Sequence, residues 1–191
     1  KLFKGKGRYV RFRSVENVIR ELENIIRDYK RVTYIQFQDE TFTMDKKWLK
    51  EFCEKYKQRI NIPFQADTRA DTIDKESLSW LKSAGCDMLD IGVESGNDYI
   101  RNQVLKRNMP REKLIHGCKL IKQAGIRLWT FNMLGLPYET PEAIEDTIRL
   151  NKDIKPDVVF VSVFQPYPGT ELYEICKKKG WLTNLSLEGY F

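Results

Sequence analysis

The chain has 191 residues, of which 41% are hydrophobic and 31% charged, a balance that fits one globular domain and excludes a disordered chain. Its net charge of +6 is concentrated in residues 1–13, which hold six Lys or Arg and no acid. Of the 33 bases in total, the rest of the chain therefore has 27, against 27 acids. This balance argues against a nucleic-acid-binding face. We interpret the basic start as a solvated leader, with contact to an anion as the alternative.

The apolar runs of the chain are short. The longest covers about seven residues, 158–164, and it includes a serine. A run of this length excludes a membrane span and a signal-peptide core. We therefore predict a cytoplasmic protein without a membrane partner.

The cysteines do not form a metal-binding pattern. Cys53, Cys86, Cys118 and Cys176 are far apart in sequence, and no CxxC occurs. We interpret them as small buried hydrophobic residues. The single histidine, His116, points away from the apolar face of its predicted helix, which argues against a zinc site or a His-dependent triad. No metal ligand is therefore predicted in this chain.

Short β-rich runs alternate with amphipathic helices along the chain. A first helix is predicted from a cap at Ser14, and a later one from a cap at Thr140 with Pro141 in its first turn. The other helices are predicted around 48–56, 74–84, 97–104 and 111–124, with a short one closing near 180. The five strands are predicted at 32–37, 61–67, 88–93, 126–134 and 158–164.

This alternation predicts parallel strands joined by crossover helices. The apolar strand at 158–164 is expected to be covered on both faces. No glycine-rich loop follows the first strand, which favours a TIM-like (β/α) barrel over a doubly wound sheet. Five strands cannot close an eight-stranded barrel, so we expect a partial barrel. Without a linker in the sequence, residues 1–191 are predicted to form a single domain.

Polar residues follow the predicted strands. Parallel barrels place their sites at the carboxyl ends of the strands, so these residues should share one rim. They offer carboxylates and a hydroxyl for a ribose or an amine, an arginine for a carboxylate, and backbone groups for a flat base. That set suits a nucleoside carrying an amino acid better than acid–base hydrolysis. The residues are Asp39, Glu40, Asp67, Arg69, Glu94, Ser95, Gly135, Gln165 and Pro166.

Purely structural roles remain open for several of these residues. Asp39 and Glu40 could only cap the following helix. Arg69 could only pair with a neighbouring carboxylate, from Asp67 or Asp71. Taken together, the polar residues at the strand ends indicate a ligand site more strongly than any one of them does alone.

The run DIGVESGND places a polar break at the end of a buried strand. Glu94 and Ser95 could form an N-cap pair for a short helix that starts near Asn97. We expect Gly96 to let the backbone turn away and leave room for a ligand.

Five segments in register resemble the radical S-adenosylmethionine superfamily. They are FQDETFTMD, TRAD, LKSAGCDMLDIGVESGN, FNMLGLPYETPEAIEDTI and QPYPGTELYE, between Arg11 and Gly180. The most similar branch is the one around the anaerobic magnesium-protoporphyrin ester cyclase, whose members often carry an upstream cobalamin domain. One small departure is Tyr138, where the family has glycine.

The resemblance implies a partial six-stranded barrel whose first strand leads into a CxxxCxxC loop for a [4Fe–4S] cluster. The chain contains no such motif and begins with Lys1. We therefore expect that strand and loop upstream, and a chain that is catalytically incompetent alone. The implied cofactors are S-adenosylmethionine and the cluster, together with cobalamin in those members of the branch that carry the upstream domain. The implied activity is reductive cleavage to a 5′-deoxyadenosyl radical, with a reductant such as flavodoxin or ferredoxin and a small-molecule substrate.

Five residues are implied near the amino-acid and ribose parts of S-adenosylmethionine. Asp39 and Glu40 would lie by the methionine amino group, and Arg69 would pair with the carboxylate. Glu94 and Ser95 would contact the ribose or the methionine part.

Five further residues are implied around the adenine ring. Met133 and Gly135 would line one side of it, and Phe164, Gln165 and Pro166 the other. No residue is assigned a catalytic role.

The substrate and the reaction type are not readable, and methylation or ring formation would both fit. A methylthiotransferase acting on transfer RNA is the nearest alternative within the superfamily. Outside it, a non-redox barrel that binds a nucleotide or sugar phosphate would need a lysine or a metal cluster at a strand end, and neither is found. A scaffold that has lost its cluster and only binds partners is the third alternative.

Overall fold

The structure is a computed structural model that describes residues 10–182. Five strands form one sheet in the order of the sequence, and every neighbouring pair is parallel. The sheet curls into a half-barrel, which confirms the predicted partial barrel. The strands are β1 (Ile35–Phe37), β2 (Phe64–Thr68), β3 (Cys86–Glu94), β4 (Arg127–Leu134) and β5 (Val158–Val163).

Helices connect the strands and precede the first one. Ser14 caps the first helix by accepting a hydrogen bond from Asn17 N, and Thr140 caps the fifth in the same way through Ala143 N. Both predicted helix starts are therefore confirmed. The helices are α1 (Val15–Asp28), α2 (Lys46–Arg59), α3 (Lys75–Ser83), α4 (Arg111–Gln123), α5 (Pro141–Ile154) and α6 (Glu171–Lys178), with a 3₁₀ turn at Ala70–Thr72 and a π-helical turn at Ile100–Val104.

The main core lies between the sheet and the helices. On β3, Leu89, Ile91 and Val93 alternate toward the helices and are fully buried there. Burial of each such side chain contributes roughly 1.5–3 kcal/mol. The four cysteines are free and buried, as predicted.

The opposite face of the sheet lines the inside of the half-barrel. Strand register pairs Asp67 with Asp90, Asp90 with Trp129, and Phe131 with Phe160. Paired residues point to the same face of a sheet, so carboxylates and aromatic rings share this inner face.

The prediction that the last strand is covered on both faces is wrong. Val159, Val161 and Val163 of β5 point away from the barrel interior and are 50%, 49% and 69% exposed. Among the elements within residues 10–182, only β4 packs extensively on β5, whereas α4 and α5 pack on β4. An apolar sequence alone does not distinguish an edge strand from a covered one.

Two remaining expectations concern the surface. Residues 1–9, most of the basic start, lie outside the described residues, whereas Arg13 pairs with Glu21 of α1. Among the helices of residues 10–182, none combines the length and apolar character needed to cross a membrane.

Candidate functional site

The strand ends place the predicted site residues along one edge of the half-barrel, as parallel strands require. Two cavities open there. One, of about 740 Å³, lies mainly between β1 and α1 with the segment before it, and reaches the edge at Asp39 and Glu40. The other, of about 560 Å³, lies beyond β4 and β5 and is lined by residues 135–139 and 164–166 among others. Glu94, at the end of β3, belongs to the strand between these two regions.

Asp39 and Glu40 are exposed in the turn that follows β1. They do not cap the next helix, because α2 is capped by Asp45, whose carboxylate accepts a hydrogen bond from Trp48 N at 3.0 Å. The structural alternative for these two acids is therefore wrong. Their role toward a methionine amino group stays a prediction.

Glu94 ends β3 in an unusual backbone conformation. Its φ is +62°, and the register steps from the Gly92–Phe131 pair to the Glu94–Asn132 pair, which leaves Val93 as a bulge. Bulges of this kind redirect a side chain next to a site. The Glu94 side chain is 15% exposed, and its Oε1 accepts a hydrogen bond from Arg107 Nη1 at 2.9 Å.

Gly92 makes room for this ion pair. A Cβ at residue 92 would stand 2.5 Å from Glu94 Oε1 and 2.9 Å from Arg107 Nη2. Arg107 Nη2 also donates to the Gly92 carbonyl at 3.1 Å. The glycine therefore lets a carboxylate and a guanidinium lie flat against the end of the strand.

The electrostatics of Glu94 result from two opposing effects. Burial raises the pKa of its carboxyl group, and the positive charge of Arg107 opposes that rise. Arg107 Nε is itself buried and has no hydrogen-bond partner among residues 10–182. Glu94 is thus a carboxylate whose local charge balance would change when a cationic ligand arrives.

Arg69 forms the structural pair that the sequence left open. Its Nε and Nη2 donate to the Asp71 carboxylate at 3.0 and 2.9 Å, which selects Asp71 over Asp67. Arg69 Nη2 also donates to the Arg107 carbonyl at 3.2 Å, so it helps to fix the segment that carries the Glu94 partner. Its contact with a ligand carboxylate stays a prediction.

Ser95 is fully buried and engaged with the following turn. Its hydroxyl accepts a hydrogen bond from Asn97 N at 3.2 Å, and its carbonyl accepts one from Arg101 Nη1 at 2.7 Å. Asn97 Oδ1 in turn accepts from the backbone of Tyr99. Of the Glu94–Ser95 pair, only Glu94 therefore has exposed side-chain surface, and the ribose contact of Ser95 stays a prediction.

The expectation that Gly96 leaves room for a ligand is wrong. A Cβ at this position would stand 2.2 Å from the Asp146 carbonyl oxygen of α5. Gly96 N also donates to Thr147 Oγ1 at 2.8 Å. Close packing of the turn against α5 is therefore the reason for glycine.

On the far side of the edge, a tight turn follows β4. Gly135 has a φ of +77°, which glycine adopts without strain. Its N–H donates to Glu139 Oε2 at 2.7 Å, and Leu136 N donates to the same oxygen at 3.3 Å. Glu139 Oε1 is buried, and no group in the described part of the chain donates a hydrogen bond to it.

The other residues predicted around the adenine divide between a cluster and a cavity. Met133 and Phe164 pack against a small apolar cluster that includes Leu136. Phe164, Gln165 and Pro166 line the cavity that also contains Gly135. Gln165 is exposed and Pro166 is buried. The structure thus brings Gly135 together with Phe164, Gln165 and Pro166 at the cavity. Met133 instead packs against the apolar cluster that contains Leu136 of the turn.

Three residues at the edge were missed by the sequence interpretation, namely Gly92, Arg107 and Glu139. Gly92 had a readable signal, because residues two apart on a strand share a face and the GVE spacing places the glycine beside the carboxylate. Arg107 comes from a loop whose path the sequence does not reveal.

No described residues fit an iron–sulfur cluster. Residues 10–182 contain no group of three or more His, Cys, Asp or Glu that could hold a metal ion. Burial raises the pKa of Cys53 and of Cys118 to about 12, which disfavours the thiolate form that a cluster requires. The four cysteines therefore serve the core, as predicted.

A curled parallel sheet with polar side chains at its carboxyl edge defines a barrel-type α/β domain, a class whose ligand sites lie at that edge. Comparison with known proteins assigns it further. The model of the radical SAM superfamily matches residues 3–150, and the chain belongs to that family. The family decides against the non-redox barrel considered from the sequence, and its members are enzymes that use S-adenosylmethionine and a [4Fe–4S] cluster.

Among its relatives, an uncharacterised methyltransferase of Pyrococcus horikoshii is 30% identical over 96% of this chain and 40% of its own length. The anaerobic magnesium-protoporphyrin IX monomethyl ester cyclase of Cereibacter sphaeroides is 27% identical, over 86% of this chain and 27% of its own.

A solved structure has the same fold. The radical S-adenosylmethionine methyltransferase TsrM of Kitasatospora setae, with cobalamin and a [4Fe–4S] cluster bound, superposes with a TM-score of 0.72 at 18% identity. The match covers 87% of this chain and 34% of that one. The chain thus spans less than half the length of each of these three proteins.

Proposed function

We propose that this chain is the S-adenosylmethionine-binding part of a radical enzyme that methylates or cyclises a small molecule. The observation that carries the proposal is the Glu94–Arg107 pair, held at the open edge of a parallel half-barrel by the bulge at the end of β3. S-adenosylmethionine carries a sulfonium and an ammonium group, and a carboxylate that is only partly neutralised suits either of them.

We assign different parts of S-adenosylmethionine to different residues of the edge. Glu94, with Asp39 and Glu40 on the side of β1, would receive the amino-acid and ribose part. The turn from Gly135 to Glu139 would receive the adenine, since it offers backbone groups, an apolar wall and the unpartnered Glu139 Oε1. A cavity of about 560 Å³ is of the size that small-ligand sites have.

The cluster ligands are proposed to lie outside this chain, because its described cysteines do not suit them. When bound together, S-adenosylmethionine and a [4Fe–4S] cluster supply radical chemistry through reductive cleavage of the cofactor. An external donor such as a flavodoxin or ferredoxin would provide the electron. A cobalamin domain is proposed by analogy with TsrM and would favour methyl transfer.

A binding measurement on the full-length protein tests the assignment of Glu94. Glu94→Ala is expected to weaken S-adenosylmethionine binding about tenfold, the loss of one hydrogen bond to a charged group. Glu94→Gln should give an intermediate affinity, because it keeps the shape and loses the charge. Glu145→Ala, on the exposed face of α5, is the matched control and should leave affinity unchanged.

Two readouts separate binding from chemistry. Calorimetry reports the affinity, and the visible spectrum of the anaerobically reconstituted protein reports the cluster, which Glu94→Ala should not alter. Unchanged affinity in Glu94→Ala would contradict the assignment. Absence of 5′-deoxyadenosine after reduction of a reconstituted wild-type protein would contradict the proposed radical activity itself.

A further inference from the structure

Two aromatic rings stand at the cavity of about 560 Å³ beyond β4 and β5. Tyr138 belongs to the turn after β4, Trp181 follows α6, and both residues line this cavity. Their ring centroids are 5.4 Å apart and their planes 81° apart, which is a T-shaped contact. Tyr138 is 42% exposed and Trp181 is 47% exposed. The two rings therefore pack on each other beside the cavity, outside the buried core.

The backbone at Tyr138 is strained. The carbonyl of Leu136 accepts a hydrogen bond from Glu139 N at 3.0 Å and closes a four-residue turn. Proline at the second position of a turn and a positive φ at the third are the pattern of a type II turn, whose third position favours glycine. Tyrosine stands at that position, with a φ of +65°. Because the ring is exposed, its burial does not offset this strain, and strain of this kind is concentrated at functional sites.

The end of α6 fixes the position of Trp181. Trp181 N donates to the Cys176 carbonyl at 3.0 Å, and Gly180 N donates to the Lys177 carbonyl at 3.2 Å. Gly180 has a φ of +69°, so these two bonds form a Schellman motif, which is a common cap at the C-terminus of a helix. Cys176 and Trp181 both line the cavity. The helix cap thus places the indole ring at the cavity.

This aromatic pair suits a flat ring as its ligand. A T-shaped contact engages one face of one ring, so the pair leaves further ring faces uncovered. The faces of tyrosine and tryptophan stack on nucleobases, and this stacking depends little on the groups at the edge of the base. The proposed function assigns the adenine of S-adenosylmethionine to the same cavity.

We propose that Tyr138 and Trp181 bind the adenine ring of S-adenosylmethionine by aromatic stacking. The identity of the ligand rests on the proposed function, whereas the aromatic contact rests on the strained turn and the helix cap that bring the two rings to one cavity. The pair supplies affinity for the base, and it favours a purine over an aliphatic ligand of the same charge.

Binding of two probes to the full-length protein tests the contact of Tyr138. The probes are S-adenosylmethionine and adenosine, which carries the base without a charge. Tyr138→Gly removes the ring and suits the positive φ, so the variant should fold and should bind both probes about tenfold more weakly. Tyr138→Phe keeps the ring and should bind both like the wild type. Tyr29→Gly, at an exposed tyrosine that ends α1, is the matched control and should leave both affinities unchanged.

Trp181 supplies a second readout, because stacking on a base quenches indole emission. We expect adenosine to quench the fluorescence of the wild type and of Trp80→Phe, in which a partly exposed tryptophan of α3 is replaced. In Trp181→Phe the quench should be lost while most of the affinity is kept, since a ring remains. Trp181→Leu should weaken both probes about tenfold.

The possible outcomes separate this inference from the proposed function. Wild-type affinity for both probes in either Tyr138→Gly or Trp181→Leu would overturn the inference alone, as would a quench that survives in Trp181→Phe. Loss confined to S-adenosylmethionine would also overturn it, because the rings would then contact the sulfonium and not the base. A wild-type protein that binds adenosine with these effects but does not bind S-adenosylmethionine would refute only the proposed function. Failure to bind either probe would refute both.

Discussion

The Glu94 carboxylate lies 2.9 Å from Arg107 Nη1, and both side chains occupy the space that a side chain on Gly92 would fill. Three features make this arrangement possible, namely a bulge at Val93, a positive φ at Glu94 and a glycine two residues earlier. The polar break in the sequence is therefore not a frayed strand end. It is a strand end shaped to hold a carboxylate beside an open edge.

Two glycines four residues apart, Gly92 and Gly96, should respond differently to alanine. At Gly92 the new Cβ would meet the far ends of two flexible side chains, which can shift. At Gly96 it would meet the backbone of Asp146, which cannot. We expect Gly96→Ala to lower the free energy of unfolding by about 3 kcal/mol or more, and Gly92→Ala by about 1 kcal/mol or less.

Urea unfolding measures this difference in stability. For ligand affinity we expect the reverse order, with the larger loss in Gly92→Ala. Gly92→Ala displaces Glu94 from Arg107 and should reduce S-adenosylmethionine affinity in a chain that is still folded. A Gly92→Ala variant less stable than Gly96→Ala would contradict the packing described for Asp146.

Arg107 should set the pH range in which Glu94 is charged. Its positive charge opposes the effect of burial on the Glu94 pKa, so Arg107→Met should raise that pKa further. A cationic ligand prefers the carboxylate, and its affinity falls as pH drops through the pKa. We therefore expect the fall to begin at higher pH in Arg107→Met than in the wild type, and Arg107→Lys to behave like the wild type.

Titration of S-adenosylmethionine affinity between roughly pH 5.5 and 8.5 measures this shift. Identical pH profiles for wild type and Arg107→Met would show that the Glu94–Arg107 pair does not control the pH dependence of ligand affinity.

The strand–helix alternation made the fold predictable, because hydrophobic period and caps are local signals. Ser14 and Thr140 are examples of caps that the structure confirms. The exposed β5 was not predictable, since its valines have the same pattern whether or not another element covers them. Coverage depends on which element packs there, which is a tertiary property.

The edge at which the candidate residues lie was predictable, but their contacts were not. Parallel strands bring Glu94 and Gly135 to one edge whatever the loops do. Arg107 could not be placed, because a loop through a π-helical turn carries it back to β3. Gly96 was misinterpreted for the same reason, since its close neighbour belongs to α5, some fifty residues later.

Asp90 should make stability depend on pH. Its pKa is about 7 in the folded chain and near its ordinary value of 3.8 when unfolded. The folded state therefore holds an extra proton between those values, and the free energy of unfolding should fall as pH rises through that window. The slope from one such group is at most about 1.4 kcal/mol per pH unit.

Urea unfolding from pH 4.5 to pH 8 measures this dependence. Asp90→Asn should remove the contribution and flatten the profile, whereas Asp28→Asn, at an exposed position of α1, should not. Parallel profiles for wild type and Asp90→Asn would contradict the raised pKa.

Glu139 should hold the turn that follows β4. One carboxylate oxygen accepts from the backbone of Gly135 and of Leu136, and the other is buried without a partner among the described residues. Glu139→Ala leaves both N–H groups without their acceptor, which should cost about 1–2 kcal/mol of folding free energy. It should also weaken S-adenosylmethionine binding, because the turn lines the cavity assigned to the adenine.

A second ligand separates these two effects. Adenosine, which lacks the methionine part, should lose affinity for Glu139→Ala by about the same factor as S-adenosylmethionine, whereas Glu94→Ala should affect mainly the complete cofactor. Glu139→Gln keeps one acceptor for the turn and should recover most of the stability. Full adenosine affinity in a folded Glu139→Ala protein would place the adenine away from Gly135.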